Sequence, residues 1–158
     1  MILSFNQYIV YIDVDKTRIF YQTAENIRDG CDCSGCRNFE KALPHLQQEV
    51  NLVFDKMGID IKKPREVYVN CLNPDGTLFY AGFYHICGKL ISGSSPWKEI
   101  DEMSKSLDEN ALFKINKDFK IAFQEQVDLL EENFPLPVIQ LEFFANIPWV
   151  LNEENTYL

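Results

Sequence analysis

The sequence predicts an α+β domain, in which a mostly antiparallel sheet of hairpins packs against one principal helix. Short runs of β-branched and aromatic residues alternate with turn residues along most of the chain. One stretch, from about Pro44 to Met57, instead repeats its apolar residues at helical spacing. The length of 158 residues and the hydrophobic fraction of 46% are those of one globular domain. We therefore expect a single domain over residues 1–158, with a frayed tail from about residue 152.

The first elements are expected to be two strands. Tyr8–Val14 reads YIVYIDV and Thr17–Thr23 reads TRIFYQT, and both are rich in strand-forming residues. The polar pair Asp15-Lys16 lies between them. The pattern predicts an opening hairpin.

The principal helix is expected to follow a short helical turn. Pro44 cannot lie inside a continuous helix, because its ring and its missing N–H break the hydrogen-bond ladder. We therefore predict a turn of helix over Cys36–Ala42 and a longer helix in which Pro44 is the first residue. Gly58 is placed to end that helix.

The middle of the chain predicts the centre of the sheet. Arg65–Leu72 is a strand, and Asn73-Pro74-Asp75-Gly76 is the clearest turn in the sequence. Thr77–Ile91 is then a long strand with apolar residues on both faces, which indicates a central strand covered on both sides. Its aromatic residues are expected in the core, although an open face would let Tyr80 and Tyr84 line a groove for a peptide.

The last third of the chain predicts two weak helices and three strands. Ser95 and Pro96 suit the start of a helix, and the strand segments alternate apolar and polar residues. In the final strand, this alternation puts Gln140 and Glu142 on the outward face. The expected elements are a helix over Trp97–Asn110, a hairpin of Leu112–Ile115 and Phe119–Phe123, a short helix over Glu125–Asn133, and a strand over Val138–Asn146.

Three of the five cysteines lie within six residues, at Cys31, Cys33 and Cys36. Cys-x-x-Cys spacing lets two thiolates reach one zinc ion from a tight turn, and three sulfurs need one more ligand to close a structural site. His45 is the expected fourth ligand, with His85 or Cys87 as the alternatives. The sequence therefore predicts a possible zinc site, while plain structural thiols remain the alternative.

Strand geometry restricts the other candidate donors. A two-residue loop at Pro74-Asp75 would place Cys71 on the face of Leu78 and Tyr80, opposite His85 and Cys87. A loop longer by one residue would reverse this assignment. With the short loop, Cys71 and the pair of His85 and Cys87 cannot both serve one site.

A second interpretation of the cysteines is thiol redox chemistry. Cys36 is expected to open a helix beside Arg37, and both features lower the pKa of a thiol, with Cys33 as its disulfide partner. The thioredoxin-like setting is a βαβ unit, however, and here the motif follows a hairpin. No Gly-x-Ser-x-Gly, phosphate-binding Gly-rich or His-Glu-x-x-His motif is present, so no residue is nominated as catalytic.

The charge of the chain bears on its partners. The formal net charge is −9, of which −7 falls on residues 81–158. An acidic protein repels phosphate backbones, so nucleic acid is an unexpected partner, and a basic effector protein or a peptide fits better. No apolar run approaches the ~18 residues of a membrane span. The N-terminus shows no signal-peptide pattern, so we expect a cytoplasmic protein.

Three segments resemble a family of uncharacterised bacterial single-domain proteins with a Cys-x-Cys-x-x-Cys-x-Asn-Phe signature. They are Cys31–Phe39, the strand around Gly82-Phe83-Tyr84-His85, and Ile147–Leu151. The resemblance implies a bacterial, cytosolic domain and supplies no catalytic residues. We therefore expect a non-enzymatic binding or interaction module. The alternative is a cysteine-cluster protein that binds structural zinc or acts in thiol redox chemistry.

Overall fold

The computed structural model describes all 158 residues and confirms an α+β fold with a mostly antiparallel sheet. The main sheet has seven strands, and a separate two-stranded hairpin packs nearby. The strands are β1 Ile2–Phe5, β2 Tyr8–Ile12, β3 Glu66–Leu72, β4 Leu78–Ser92, β5 Trp97–Glu99, β6 Lys105–Leu107, β7 Phe113–Asn116, β8 Phe119–Gln124 and β9 Val138–Ile147. The helices are α1 Val14–Thr23, α2 Ile27–Gly30, α3 Ser34–Ala42 and α4 Gln48–Met57, with 3-10 turns at Leu43–His45 and Glu109–Ala111.

Strand β4 is the centre of the sheet, as its apolar residues on both faces predict. It is 15 residues long and pairs with β9 along one side. On its other side it pairs first with β3 and then with β2. Tyr80 and Tyr84 are fully buried, so they belong to the core and line no open groove.

The opening hairpin is formed by β1 and β2, which turn at Asn6 with a φ of 56°. The prediction that Thr17–Thr23 is its second strand was wrong, because this segment lies in helix α1. Asp13 begins the helix, with its side chain accepting a hydrogen bond from the backbone N–H of Lys16. The Asp13 cap and the position of α1 along β4 therefore determine the structure of this segment, and its strand propensity does not.

Helix α1 fills a gap between β3 and β2 along the edge of β4. The backbone groups of His85 and Cys87 have no strand partner on that side. The Tyr21 hydroxyl donates to the His85 carbonyl at 2.9 Å and accepts from its N–H at 3.2 Å. Thr17 Oγ1 accepts from the Cys87 N–H at 3.1 Å, and the Asp13 N–H donates to the Cys87 carbonyl at 2.8 Å. Asp13 and α1 thus satisfy all four groups.

Three helices divide the role expected of one principal helix. Helices α1 and α4 have ten residues each and α3 has nine, so none of them dominates. Pro44 lies in the 3-10 turn after α3, and α4 begins later than predicted, at Gln48. Gly58 ends α4 with a φ of 80°, as expected.

The β3–β4 hairpin has the longer of the two loops considered. Leu72 pairs with Leu78, and Gly76 adopts a φ of 88° in the turn. In the same register Cys71 pairs with Phe79, and a register shift follows between Cys71 and Val69. Cys71 therefore lies on the face of Phe79 and His85, the reverse of the short-loop assignment.

The second face of the sheet differs most from the sequence prediction. Trp97–Asn110 forms the β5–β6 hairpin and a 3-10 turn instead of a helix, and Glu125–Asn133 contains no helix. The β7–β8 hairpin and strand β9 are confirmed. Gln140 and Glu142 are buried, at 1% and 5% exposure, although alternation places them outward. The reason is that chain segments cover both faces of β9.

Candidate metal site

The three clustered cysteines come together between α2 and α3. Cys31 follows α2, Cys33 is the N-cap of α3, and Cys36 lies in the first turn of that helix. Their Sγ atoms all lie within 4.8 Å of one another, and those of Cys31 and Cys33 are 3.3 Å apart. Cys36 is buried, Cys31 is half-buried and Cys33 is exposed. The structure thus confirms a cysteine cluster that is able to hold a metal ion.

The start of α3 orients the Cys33 sulfur. Cys33 Sγ accepts a hydrogen bond from the backbone N–H of Cys36 at 3.4 Å, the contact that an N-cap side chain makes. This hydrogen bond fixes the Cys33 sulfur at the N-terminus of α3.

Charged side chains hold the cysteine loop in place. Arg28 pairs with Asp32 at 2.6 Å and with Glu40 at 3.7 Å, which links α2, the loop and α3. Arg37 Nε donates to the carbonyl of Asp32 at 3.3 Å, and its guanidinium pairs with Glu153 at 2.7 Å. Both arginines are therefore paired with acidic side chains and do not act as unpaired cations beside the sulfurs.

The first turns of α3 are anchored to the core and to the C-terminal segment. The Tyr80 hydroxyl donates to the Gly35 carbonyl at 2.8 Å. A Cβ on Gly35 would lie 2.6 Å from the Tyr157 hydroxyl, so a larger residue there would displace the end of the Tyr157 side chain. Tyr157 packs against the core, which places part of the tail beside the cysteine loop.

The thiols differ in acidity. Burial, followed by hydrogen bonds with Cys31 and Cys33, raises the pKa of Cys36. A hydrogen bond from the backbone N–H of Cys33 is the main cause that lowers the pKa of Cys31. The direction at Cys36 is the opposite of that expected for an activated thiol.

The structure does not bring the expected fourth ligand to the cluster. His45 is exposed in the 3-10 turn after α3, while the cysteines precede that helix, whose nine residues span about 14 Å. His85 lies on the other face of the sheet, against Phe83 and Phe134. Cys87 lies on the same face of β4 as His85. The group of metal-ligating side chains that lie close together therefore contains only the three cysteines of the loop.

A cleft of about 510 Å³ lies beside Cys31 and Cys36. Its wall includes the acidic residues Glu25, Glu66 and Glu131 and the basic residues Lys63 and Arg65. The cysteine loop is therefore accessible from one side.

The sequence did not predict a buried polar network on the sheet face opposite the cysteine cluster. Gln124 and Gln140 donate to Glu142, and Gln140 also lies 3.3 Å from Nε2 of His85. The sequence signal for this network was the polar residues at alternate positions of β9. Alternation alone, however, predicts that such residues face solvent.

Comparison with known proteins identifies no relative, since no family model, curated protein or solved structure matches the chain. The resemblance to the bacterial cysteine-signature family therefore stays a prediction. No helix has both the length and the apolar character that crossing a membrane requires.

Proposed function

We propose that this protein is a non-enzymatic binding module that holds a thiophilic metal ion, with zinc the expected ion, at Cys31, Cys33 and Cys36. The observation that carries the proposal is the convergence of three sulfurs within 4.8 Å. Tetrahedral zinc with Zn–S bonds of about 2.3 Å separates its sulfur ligands by about 3.8 Å. Small side-chain rotations would give that spacing.

Three protein ligands leave one coordination position. Cys33, the exposed residue of the three, marks the solvent side of the cluster. Water, or a donor atom from a binding partner, would complete the shell there. The expected role of the ion is to hold α2, the loop and α3 together.

Thiol redox chemistry is the second candidate, and one distance favours it. The Sγ atoms of Cys31 and Cys33 are 3.3 Å apart, whereas the sequence suggested Cys33 and Cys36 as the disulfide pair. A disulfide uses two sulfurs and requires them about 2.05 Å apart. Because a third sulfur also converges on the pair, metal binding accounts for more of the geometry.

The experiment is metal analysis of protein purified under reducing conditions. We expect one equivalent of zinc per chain, and thiolate-to-cobalt charge-transfer absorption after cobalt exchange. Cys33→Ser should abolish both signals, whereas Cys71→Ser, at an exposed cysteine outside the cluster, should keep them.

Failure to bind zinc or cobalt, or equal binding by the two variants, would contradict the metal proposal. A metal-free protein with a Cys31–Cys33 disulfide in peptide mass spectra would instead support the redox candidate. A chelator should also lower the melting temperature of the loaded protein, because an ion that binds only the folded state stabilises it.

The net charge of −9 supports a basic protein or peptide as the partner of the module. This stays a prediction. Retention of a basic partner on the immobilised protein, weakening steadily with added salt, would support it, and salt-independent retention would count against it.

A further inference from the structure

The three residues of the cysteine cluster are not equivalent. The sulfurs of Cys31 and Cys33 are in contact, with 3.3 Å between their Sγ atoms. Cys33 is exposed, Cys31 is half-buried and Cys36 is buried. Cys33 is therefore the residue of the cluster that a reagent in solution reaches most readily, and the Cys31 sulfur lies in contact with it.

The backbone around Asp32 holds this pair of sulfurs together. Cys31 and Cys33 both have extended backbone, with φ and ψ of −152° and 127° at Cys31 and of −69° and 159° at Cys33. Side chains two residues apart along extended backbone project to the same side, and the 3.3 Å contact shows that these two do. Arg28 pairs with the Asp32 carboxylate at 2.6 Å, and Arg37 donates to the Asp32 carbonyl at 3.3 Å. The residue between the two cysteines is thus fixed from both sides.

The contact is close to the geometry of a disulfide bond. A disulfide joins two sulfurs at about 2.05 Å, so the Sγ atoms of Cys31 and Cys33 have to approach by about 1.3 Å. Cys36 is buried in the first turn of α3, where a solution oxidant has the least access to it. The pair of Cys31 and Cys33 is therefore the one that oxidation should join, and Cys36 should stay reduced.

We infer that formation of a Cys31–Cys33 disulfide releases the metal ion, so that the redox state of the loop controls metal binding. This inference rests on the metal site proposed above. The thiolate is the form of cysteine that binds a metal, and a disulfide converts two of the three thiolates at once. Cys36 then remains as a single ligand, whereas protein zinc sites use three or four.

The oxidation balances with hydrogen peroxide as the oxidant. The Cys33 thiolate attacks one peroxide oxygen, the O–O bond breaks, and the departing hydroxide takes a proton from solvent to become water. The Cys31 thiolate then attacks the sulfur of the Cys33 sulfenic acid. The S–S bond forms, the S–O bond breaks, and the second hydroxide also becomes water. The two sulfurs lose two electrons, the peroxide gains two, and the ion departs as Zn²⁺ without a change of charge.

The test treats the zinc-loaded full chain with one equivalent of hydrogen peroxide in the presence of a chromogenic zinc indicator. We expect release of the bound zinc with peroxide, none without it, and renewed binding after a phosphine reductant is added. Alkylation and trypsin then yield residues 29–37 as one peptide, because Arg28 and Arg37 provide the cleavage sites. The peptide should have lost two hydrogens and should carry one alkyl label, which fragmentation locates at Cys36.

Two variants separate the pair from the other thiols. Cys71→Ser removes an exposed thiol outside the cluster and should release zinc on oxidation as the parent does. Cys36→Ser removes a metal ligand but keeps the pair. Its metal-free form should therefore still give the Cys31–Cys33 disulfide with peroxide.

The outcomes distinguish this inference from the proposed function. Retention of zinc after peroxide treatment, a disulfide that includes Cys36, or absence of the disulfide in Cys36→Ser would each overturn the inference and leave the metal site standing. Absence of zinc from the reduced protein would overturn the proposed function, and this inference with it.

Discussion

Asn38→Ala should be among the most destabilising single substitutions in this chain. Asn38 is fully buried in α3 and joins three parts of the fold. Its Nδ2 donates to the Tyr80 hydroxyl at 3.2 Å and to the Pro148 carbonyl at 3.1 Å. Its Oδ1 accepts from the Val150 N–H at 2.7 Å. One side chain thus connects the helix of the cysteine cluster to β4 and to the segment after β9.

The magnitude follows from those three contacts. Each hydrogen bond contributes about 1 kcal/mol, and a buried partner that stays unsatisfied costs about 1–3 kcal/mol. The Val150 N–H and the Pro148 carbonyl lose their partner together, and a small void replaces the amide. We expect the free energy of unfolding to fall by about 3–5 kcal/mol, a large part of the ~5–15 kcal/mol of a typical domain.

The assay is urea unfolding followed by tryptophan fluorescence, because Trp149 lies next to the affected segment. Asn133→Ala is the matched control, since Asn133 is exposed in a loop, and its effect should stay within about 0.5 kcal/mol. Tyr80→Phe combined with Asn38→Ala should show a coupling of about 0.5–1.5 kcal/mol. A loss below about 1 kcal/mol for Asn38→Ala would refute the reasoning.

Three further predictions concern the sheet. Gly82→Ala places a Cβ 2.1 Å from a backbone oxygen of β3, so it should lower the free energy of unfolding by about 3 kcal/mol or more. Gly30→Ala is the control, because its Cβ meets nothing within 4 Å. Equal melting temperatures of the two variants would contradict this prediction. Tyr21→Phe removes both side-chain bonds to the His85 backbone, so stability should fall by about 1–3 kcal/mol and the His85 amide should exchange faster; unchanged exchange would be the contrary result. Burial raises the pKa of Glu142 above its ordinary 4.5, so the stability that its proton supplies is complete below pH 4.5 and is lost as the pH rises through the folded-state pKa. Glu142→Gln has no such proton, so its stability relative to the parent should increase from pH 4.5 upward in melting curves, and a constant difference would contradict the burial effect.

The strands that the sequence predicted correctly are those whose patterns come from the core. Strand β4 shows both faces apolar because it has neighbours above and below, and the β3–β4 turn contains its glycine at the residue with a φ of 88°. The convergence of the three cysteines is local, since six residues and one helix start determine it. These features depend on nearby sequence, which is why they are readable from it.

The errors arose where distant parts of the chain decide the local structure. Thr17–Thr23 has strand-forming residues, but its place along β4 requires a helix that presents Thr17 and Tyr21 on one side. Gln140 and Glu142 alternate like solvent-facing residues, yet Gln124 from the neighbouring strand satisfies the carboxylate in the interior. Sequence periodicity does not show which faces another segment will cover.

The expected fourth metal ligand is absent from the cysteine cluster for a related reason. His45 is close to the cysteines in sequence, but the intervening helix carries it away along its axis. His85 is far in sequence, and the sheet itself lies between it and the sulfurs. Spacing can therefore nominate donors within one loop, whereas a donor from elsewhere depends on topology.

Helix α1 has a consequence for self-association. Opening of this helix alone would leave a slot in the sheet, bounded by β3 and β2, where the backbone of His85 and Cys87 faces water. Exposed strand edges are templates for pairing with other chains, and local opening requires less free energy than global unfolding. Helix α1 thus prevents the longest strand of the protein from pairing with other chains. Conditions that unfold α1 before the rest of the protein should produce oligomers joined through β4.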